Sequence, residues 1–123
     1  MNSPRPRVLL VDDDARILSA FERLLSPWCE VVGRVTDVAT LFDEASRLQP
    51  DVIVVDLIMP EHDGLETCRD LKVAMPQARI VVVSAADDRS TRNSALDAGA
   101  SAFVSKMQAA DDLVPAIQEA TAT

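Results

Sequence analysis

Short apolar runs alternate with amphipathic segments along almost the whole chain, and this alternation restricts the possible folds more than any other feature. Five runs are predicted to be strands: 8–11, 31–35, 52–55, 80–83 and 102–104. Each run is followed by apolar residues at helical spacing. Prolines end the first three of these helices, and Gly99 ends the fourth. Pro115 lies near the first turn of the last predicted helix, where a proline is tolerated.

Five strand-then-helix units in succession predict an α/β fold with helices on both faces of one parallel sheet. The unbroken apolar runs agree, because parallel strands are buried on both sides. Right-handed crossovers then favour a doubly wound (βα)5 domain with the flavodoxin-like strand order 2-1-3-4-5. We expect one domain at 7–123, preceded by a flexible leader at 1–6 that holds two prolines.

The composition excludes several classes of function. The 123 residues include 20 Asp and Glu against 12 Lys and Arg, which gives a formal charge of −8. A net anion repels phosphate backbones and acidic lipid surfaces, so we expect this domain to bind neither nucleic acid nor membrane. The two cysteines, Cys29 and Cys68, lack metal-ligand spacing and are typical of a reduced, cytoplasmic protein.

Acidic residues follow two strands that the predicted order makes neighbours. Asp12, Asp13 and Asp14 follow the first strand, and Asp56 follows the third. Ligands of open α/β sheets bind at the carboxyl ends of the strands, at the point where the strand order reverses. Carboxylates that converge there must hold protons or bind a cation, and oxygen ligands of this kind suit Mg²⁺. One of these acids, Asp14, is explained as well by capping the first helix.

A hydroxyl and an ammonium group follow the next two strands, at Ser84 and Lys106. By itself, Ser84 fits a hydroxyl that satisfies nearby backbone, and Lys106 fits a surface lysine. In the predicted sheet, however, both face the same crevice as the acids. Together with a bound cation, these groups suit a phosphoryl group carried on Asp56, since the metal and Lys106 would neutralise its charge.

The ordered set of strand-end motifs resembles the receiver domain of response regulators in two-component signalling, including the chemotaxis-regulator type. The matching stretches are Val8-Leu9-Leu10-Val11-Asp12-Asp13, Val54-Val55-Asp56-Leu57-Ile58-Met59-Pro60 with Asp63-Gly64, Val83-Ser84-Ala85, and Ala98-Gly99-Ala100 through Phe103 to Lys106. They cover nearly all of the chain after the leader. Each motif is weak alone, whereas the ordered set is specific.

The resemblance implies a role for each matching residue. Asp56 matches the phospho-acceptor, a phosphoprotein site that forms an aspartyl phosphate. Asp13 and Asp56 would bind Mg²⁺ directly, Asp12 would hold a metal-bound water, and the backbone carbonyl of Ile58 would complete the site. Lys106 would contact the phosphoryl group.

The resemblance also implies a switch and its partners. Ser84 matches the switch hydroxyl and Phe103 the switch aromatic, which together would alter the surface of the fourth helix, fifth strand and fifth helix. The phosphoryl donor would be a phosphohistidine of a histidine kinase or a histidine phosphotransfer protein. The altered surface would control an output domain or partner protein, and the resemblance leaves room for a homodimer through that same face. Such a domain assists its own phosphorylation and is not an enzyme in the usual sense.

One residue departs from the family pattern. Met107 stands where the family usually has a proline joined to the lysine by a cis bond. Because a cis bond without proline costs about 2.5–4 kcal/mol, we expect a trans bond here.

Two other functions remain open from the sequence. Met107 also supports a receiver that works without phosphorylation, as a docking scaffold. The Asp12-Asp13-Asp14 run is compatible with a haloacid-dehalogenase-type phosphatase whose nucleophile is Asp12, although Arg16 and the absence of a cap domain disfavour it.

Overall fold

One five-stranded parallel sheet forms the centre of the computed structural model, which describes residues 5–122. Its strands are β1 (Arg7–Val11), β2 (Glu30–Val35), β3 (Val52–Asp56), β4 (Arg79–Ser84) and β5 (Ala102–Ser105). Their spatial order is β2-β1-β3-β4-β5, and every neighbouring pair is parallel. The predicted fold class and strand order are therefore confirmed.

Five helices connect and flank these strands: α1 (Ala15–Leu25), α2 (Val38–Leu48), α3 (Gly64–Ala74), α4 (Arg89–Asp97) and α5 (Ala109–Thr121). The first four begin after an aspartate whose carboxylate accepts a backbone N–H of the first turn; these caps are Asp14, Asp37, Asp63 and Asp88. No helix within residues 5–122 has both the length and the apolar character needed to cross a bilayer.

The apolar strands supply two core layers, one on each face of the sheet. Leu9, Ile53 and Ile80 belong to the layer under α2, α3 and α4, whereas their neighbours along the strands belong to the layer under α1 and α5. The strand residues of both layers are almost completely buried. This is why β1, β3 and β4 read as continuous apolar runs rather than alternating ones. Both cysteines are buried free thiols, one in each layer.

Three details differ from the sequence prediction. A two-stranded antiparallel hairpin, Ile58–Met59 with His62–Asp63, lies between β3 and α3. A one-turn 3-10 helix, Lys106–Gln108, lies between β5 and α5. Because α5 already begins at Ala109, Pro115 is in the interior of the helix and not near its first turn, so that expectation was wrong.

The start of the chain lies partly outside the described residues. Residues 1–4 of the predicted leader belong to that part, so the prediction of a leader at 1–6 is not tested over them. The two leader residues that are described make backbone-directed bonds: the Arg5 guanidinium donates to the carbonyl of Ser26 at 2.9 Å, and the carbonyl of Pro6 accepts from the N–H of Glu30 at 2.9 Å.

Candidate functional site

The carboxyl edge of the sheet brings together the acids that follow β1 and end β3. Val11 pairs with Val55 in register, so Asp12 and Asp56 occupy equivalent positions on neighbouring strands. The N–H of Asp12 also bonds to the carbonyl of Val35 at 3.1 Å, which extends the sheet by one residue. The two side chains therefore start from fixed backbone positions.

Three carboxylates converge at this edge, as predicted. One oxygen each of Asp12, Asp13 and Asp56 lies within 4.8 Å of the others. Asp12 and Asp56 are 2 % and 5 % exposed, whereas Asp13 is open to solvent. A set made only of hard carboxylate oxygens, with one side open to water, fits Mg²⁺ and does not fit a metal that prefers nitrogen or sulfur ligands.

Each buried carboxylate is held through one oxygen by backbone. Oδ1 of Asp12 accepts the N–H of Asp14 at 2.8 Å, and Oδ1 of Asp56 accepts the N–H of Ile58 at 3.0 Å. Each bond joins a carboxylate to the N–H two residues later in the chain. The backbone immediately after each strand therefore orients the carboxylate. The Oδ2 atoms are left to face the crevice.

Lys106 contacts both of these Oδ2 atoms. Its Nζ lies 2.9 Å from Asp12 and 3.0 Å from Asp56, and its side chain is 22 % exposed. All peptide bonds within residues 5–122 are trans, as we expected for the bond between Lys106 and Met107. The absence of a proline after Lys106 therefore does not keep the ammonium group from the acids.

Burial and charge oppose each other at this site. Burial raises the pKa of Asp56 above its ordinary value, and the neighbouring charge of Asp12 adds to this; the hydrogen bonds from Ile58 and Lys106 act in the opposite direction but do not outweigh burial. Burial disfavours the charged form of Lys106, but hydrogen bonds to Asp12 and Asp56 outweigh it and raise the pKa of this lysine. Three carboxyl groups and one ammonium group thus share this edge of the sheet.

Asp14 does not belong to the acidic cluster. Its Oδ1 accepts the N–H of Arg16 at 2.9 Å as the cap of α1, and its carboxylate also pairs with the guanidinium of Arg16 at 3.3 Å. The side-chain bond to Arg16 lowers the pKa of Asp14. The capping interpretation of Asp14 is confirmed.

Ser84 and Phe103 lie on the two strands nearest to Lys106. Ser84 ends β4 and is fully buried, and its Oγ accepts the N–H of Ala86 at 3.1 Å. Phe103 is 7 % exposed and packs in the core layer under α4. The guanidinium of Arg92 lies 4.9 Å from the centre of its ring.

Sequence reasoning missed two side-chain contacts around these strands. Arg92 of α4 stacks on Phe103 and donates to its carbonyl at 3.4 Å. The hydroxyl of Ser105 donates to Oδ2 of Asp87 at 2.9 Å. Neither pair is joined by a local motif, so no short pattern in the sequence indicated them.

Ile58, whose N–H bonds to Asp56, lies in the first strand of the hairpin. Its side chain is 56 % exposed. The turn of the hairpin lies at residues 60–61, where Glu61 has a positive φ of 65°. Gly64, the first residue of α3, lies close to the backbone before the hairpin, since a Cβ at that position would be 1.8 Å from the carbonyl oxygen of Leu57.

Comparisons with known proteins agree with this geometry. The family model described as "Response regulator receiver domain" matches residues 8–118. The response regulator MprA of Mycobacterium leprae (strain TN) is 36 % identical over 112 residues, which are 91 % of this chain and 49 % of that protein. The MprA of Mycobacterium avium (strain 104) is 36 % identical over 108 residues, 88 % of this chain and 47 % of its own length. The chain thus spans about half the length of the curated relatives it matches.

Superposition on solved structures also matches the chain to response regulators. A LuxR-family two-component response regulator from Aurantimonas sp. SI85-9A1 superposes with a TM-score of 0.87 at 29 % identity, over 94 % of this chain and 84 % of that one. The response regulator domain of Thermotoga maritima CheB superposes with a TM-score of 0.85 at 29 % identity, over 94 % and 96 % of the two chains.

Proposed function

Since the chain belongs to the family of response regulator receiver domains, which are phospho-accepting switches of two-component signalling, we propose that Asp56 is the residue that accepts the phosphoryl group. The observation that carries this proposal is the arrangement of its carboxylate. One oxygen of Asp56 accepts from the N–H of Ile58 and the other from Lys106, while the carboxylates of Asp12 and Asp13 lie beside it.

The carboxylates of Asp12, Asp13 and Asp56 would hold Mg²⁺ together with the carbonyl of Ile58. In keeping with the resemblance, Asp13 and Asp56 are assigned direct bonds and Asp12 a bond through water. The excess of negative charge at the cluster and its all-oxygen composition support this assignment. When bound, the ion would supply positive charge to the oxygens of the transferring phosphoryl group.

The side chains of the chain itself position the reaction. A carboxylate oxygen of Asp56 forms a bond to phosphorus as the phosphorus–nitrogen bond of a phosphohistidine breaks, and the imidazole nitrogen keeps the electron pair. The hydrogen bond from Lys106 favours the ionised form of Asp56, and Lys106 is close enough to follow a phosphoryl oxygen afterwards. The backbone N–H of Ile58 fixes the orientation of the nucleophile.

Ser84 and Phe103 would report the phosphorylation to the surface. Among residues 5–122, the hydroxyl of Ser84 has one hydrogen bond, from the local backbone N–H of Ala86, so it can turn toward new phosphoryl oxygens. Phe103 would adjust to that movement, and the face formed by α4, β5 and α5 would change with it. The result is a shift in population between two conformations of this face.

The partners follow from this chemistry. The donor would be a phosphohistidine on a histidine kinase or a histidine phosphotransfer protein, and the domain would act in the cytoplasm. The receiver portion is assigned to residues 7–123. The changed face would bind an output domain or partner protein, or a second copy of the chain, and this domain itself would contact neither nucleic acid nor membrane.

Phosphorylation by a small donor tests the proposal. Acetyl phosphate with Mg²⁺ should label the wild-type domain in intact-mass measurements, and the Asp56→Asn variant should remain unlabelled. Asp12→Asn should be labelled more slowly and only at higher Mg²⁺, because it weakens the metal site and leaves the nucleophile. Asp70→Asn is the matched control, since Asp70 is an exposed acid on α3.

The opposite pattern would identify another function. Labelling that survives Asp56→Asn and disappears with Asp12→Asn would support the phosphatase instead. A folded wild-type domain that no donor labels would leave the docking scaffold as the function.

A further inference from the structure

The turn that carries Lys106 is weakly anchored on its carboxyl-terminal side. Lys106 begins the 3-10 helix, and the next residue, Met107, is 87 % exposed. Ala109 is the first buried residue after Lys106, and its N–H closes the turn by bonding to the carbonyl of Lys106. On this side, packing against the core therefore begins only at Ala109, three residues after Lys106.

A side-chain bond anchors the other side of Lys106. Ser105 is the last residue of β5, is 8 % exposed and pairs in register with Ser84. Its hydroxyl does not cap the 3-10 helix that follows. Instead it donates to Oδ2 of Asp87 at 2.9 Å, across to the loop between β4 and α4. A hydrogen bond to a carboxylate is stronger and more directional than one between neutral groups.

The loop that holds Asp87 is itself fixed at both ends. Ser84 accepts the N–H of Ala86, and Asp88 caps α4 by accepting the N–H of Thr91 at 3.1 Å. Within residues 5–122, the bond from Ser105 is the one hydrogen bond of the Asp87 side chain. The carboxylate of Asp87 thus links an ordered loop to the residue immediately before Lys106.

We propose that Asp87, acting through the hydroxyl of Ser105, positions Lys106 for phosphoryl transfer to Asp56. The proposal rests on the function proposed above and adds to it a positioning residue outside the acidic cluster. In this chain the bond between Asp87 and Ser105 restrains the turn from its amino-terminal side. No proline follows Lys106 to restrain the turn from its carboxyl-terminal side.

A double-mutant cycle with matched conservative variants tests the link. Asp87→Ala and Ser105→Ala should each slow labelling by acetyl phosphate about tenfold, less than the ~100-fold that a 1 Å misplacement can cause. The double variant should be no slower than either single one, because both remove the same bond. Asp87→Asn and Ser105→Thr keep an acceptor and a hydroxyl, and they should stay within about twofold of wild type.

The side chain of Lys106 gives a second readout that does not depend on phosphorylation. The chain has two lysines, Lys72 and Lys106, so labelling lysine with ¹³C at the ε-carbon gives two signals, and Lys72 serves as an internal reference. In wild type the two ε-protons of Lys106 should be distinct because the ammonium group is held by Asp12 and Asp56. In Ser105→Ala and Asp87→Ala they should merge, while those of Lys72 stay unchanged.

Exposed residues of the same types provide the controls. Ser101→Ala and Asp97→Asn change a hydroxyl and a carboxylate near the same elements, and both should behave as wild type. Additive effects of Asp87→Ala and Ser105→Ala, or unchanged Lys106 signals in both, would overturn the proposal. If the wild-type domain is not labelled at all, the proposed function fails, and the Lys106 signals still decide whether Asp87 positions this lysine.

Discussion

The Nζ of Lys106 lies 3.0 Å from Oδ2 of Asp56, although 50 residues separate them in the chain. The carboxylate is 5 % exposed, so it would be costly to ionise without this cation and the N–H of Ile58. The ammonium group favours the ionised form of Asp56, which the proposed phosphoryl transfer requires. It also joins the carboxyl ends of β3 and β5 across β4, which places the whole site at one edge of the sheet.

The effect of Mg²⁺ on stability should depend on pH. Burial raises the pKa of Asp56, so its contribution to the free energy of unfolding is present below its unfolded pKa of ~3.9 and is lost as the pH rises through the folded pKa. Mg²⁺ needs the ionised carboxylate. We therefore expect Mg²⁺ to raise the Tm most above the folded pKa of Asp56 and progressively less as the pH falls through it, as measured by scanning calorimetry.

The Asp56→Asn variant is the control for this titration. It should show a smaller Mg²⁺ effect with a weaker dependence on pH, because Asn does not ionise. A rise in Tm that is equal at every pH in the wild-type domain would contradict the role of Asp56 in binding the ion.

Alanine at position 64 should destabilise the domain by about 3 kcal/mol, at the upper end of the cost of overpacking. The new Cβ would lie 1.8 Å from the backbone oxygen of Leu57, which cannot move without opening the hairpin. Urea unfolding of Gly64→Ala measures the loss. Gly33→Ala is the matched comparison, since its Cβ would meet only the movable Leu48 and Leu9 side chains at 2.7 and 3.0 Å, and it should cost less.

Removing the guanidinium above Phe103 should loosen the aromatic ring. We expect Arg92→Ala to lower the free energy of unfolding by about 0.5–1 kcal/mol, the usual value of an exposed cation–π contact. The chain has three phenylalanines, so fluorophenylalanine labelling gives three ¹⁹F signals. The signal of Phe103 should shift and broaden in Arg92→Ala and change less in Arg92→Lys, whereas equal changes in all three signals would point to general unfolding.

Replacing the interior proline of α5 should stabilise the domain. Pro115 lacks the N–H that would bond to the carbonyl four residues earlier, and an interior proline costs about 3 kcal/mol in a helix. Pro115 is exposed, so alanine there introduces no clash. Pro115→Ala should raise the midpoint of urea unfolding, and a lower midpoint would show that the proline is needed for packing.

Local patterns were sufficient to predict the sheet and the acids. Strand runs that are apolar on both faces, such as that of β3, are typical of a buried parallel sheet, and the crossover rule then favoured one order of neighbouring strands. Asp12 and Asp56 were predicted to meet because each directly follows a strand. The same reasoning predicted Ser84 and Lys106 at the ends of the next two strands, and the structure has Ser84 at the end of β4 and Lys106 directly after β5.

Other features depended on where distant segments met. Pro115 lies inside a helix because Leu113 and Ile117 are fully buried against the sheet, and this burial outweighs the local cost of the proline. The local rule, which allows proline only near a helix start, therefore failed.

The strands and the acids at their ends could be read from the amino-acid sequence, because hydrophobic period and chain position are local properties. The side-chain partners of Ser105 and Phe103, which are Asp87 and Arg92, could be identified only from the folded domain. Those pairs are separated by 18 and 11 residues, and no periodic pattern connects them. Their contacts exist because β4, α4 and β5 pack against one another, which depends on the free energy of the whole domain.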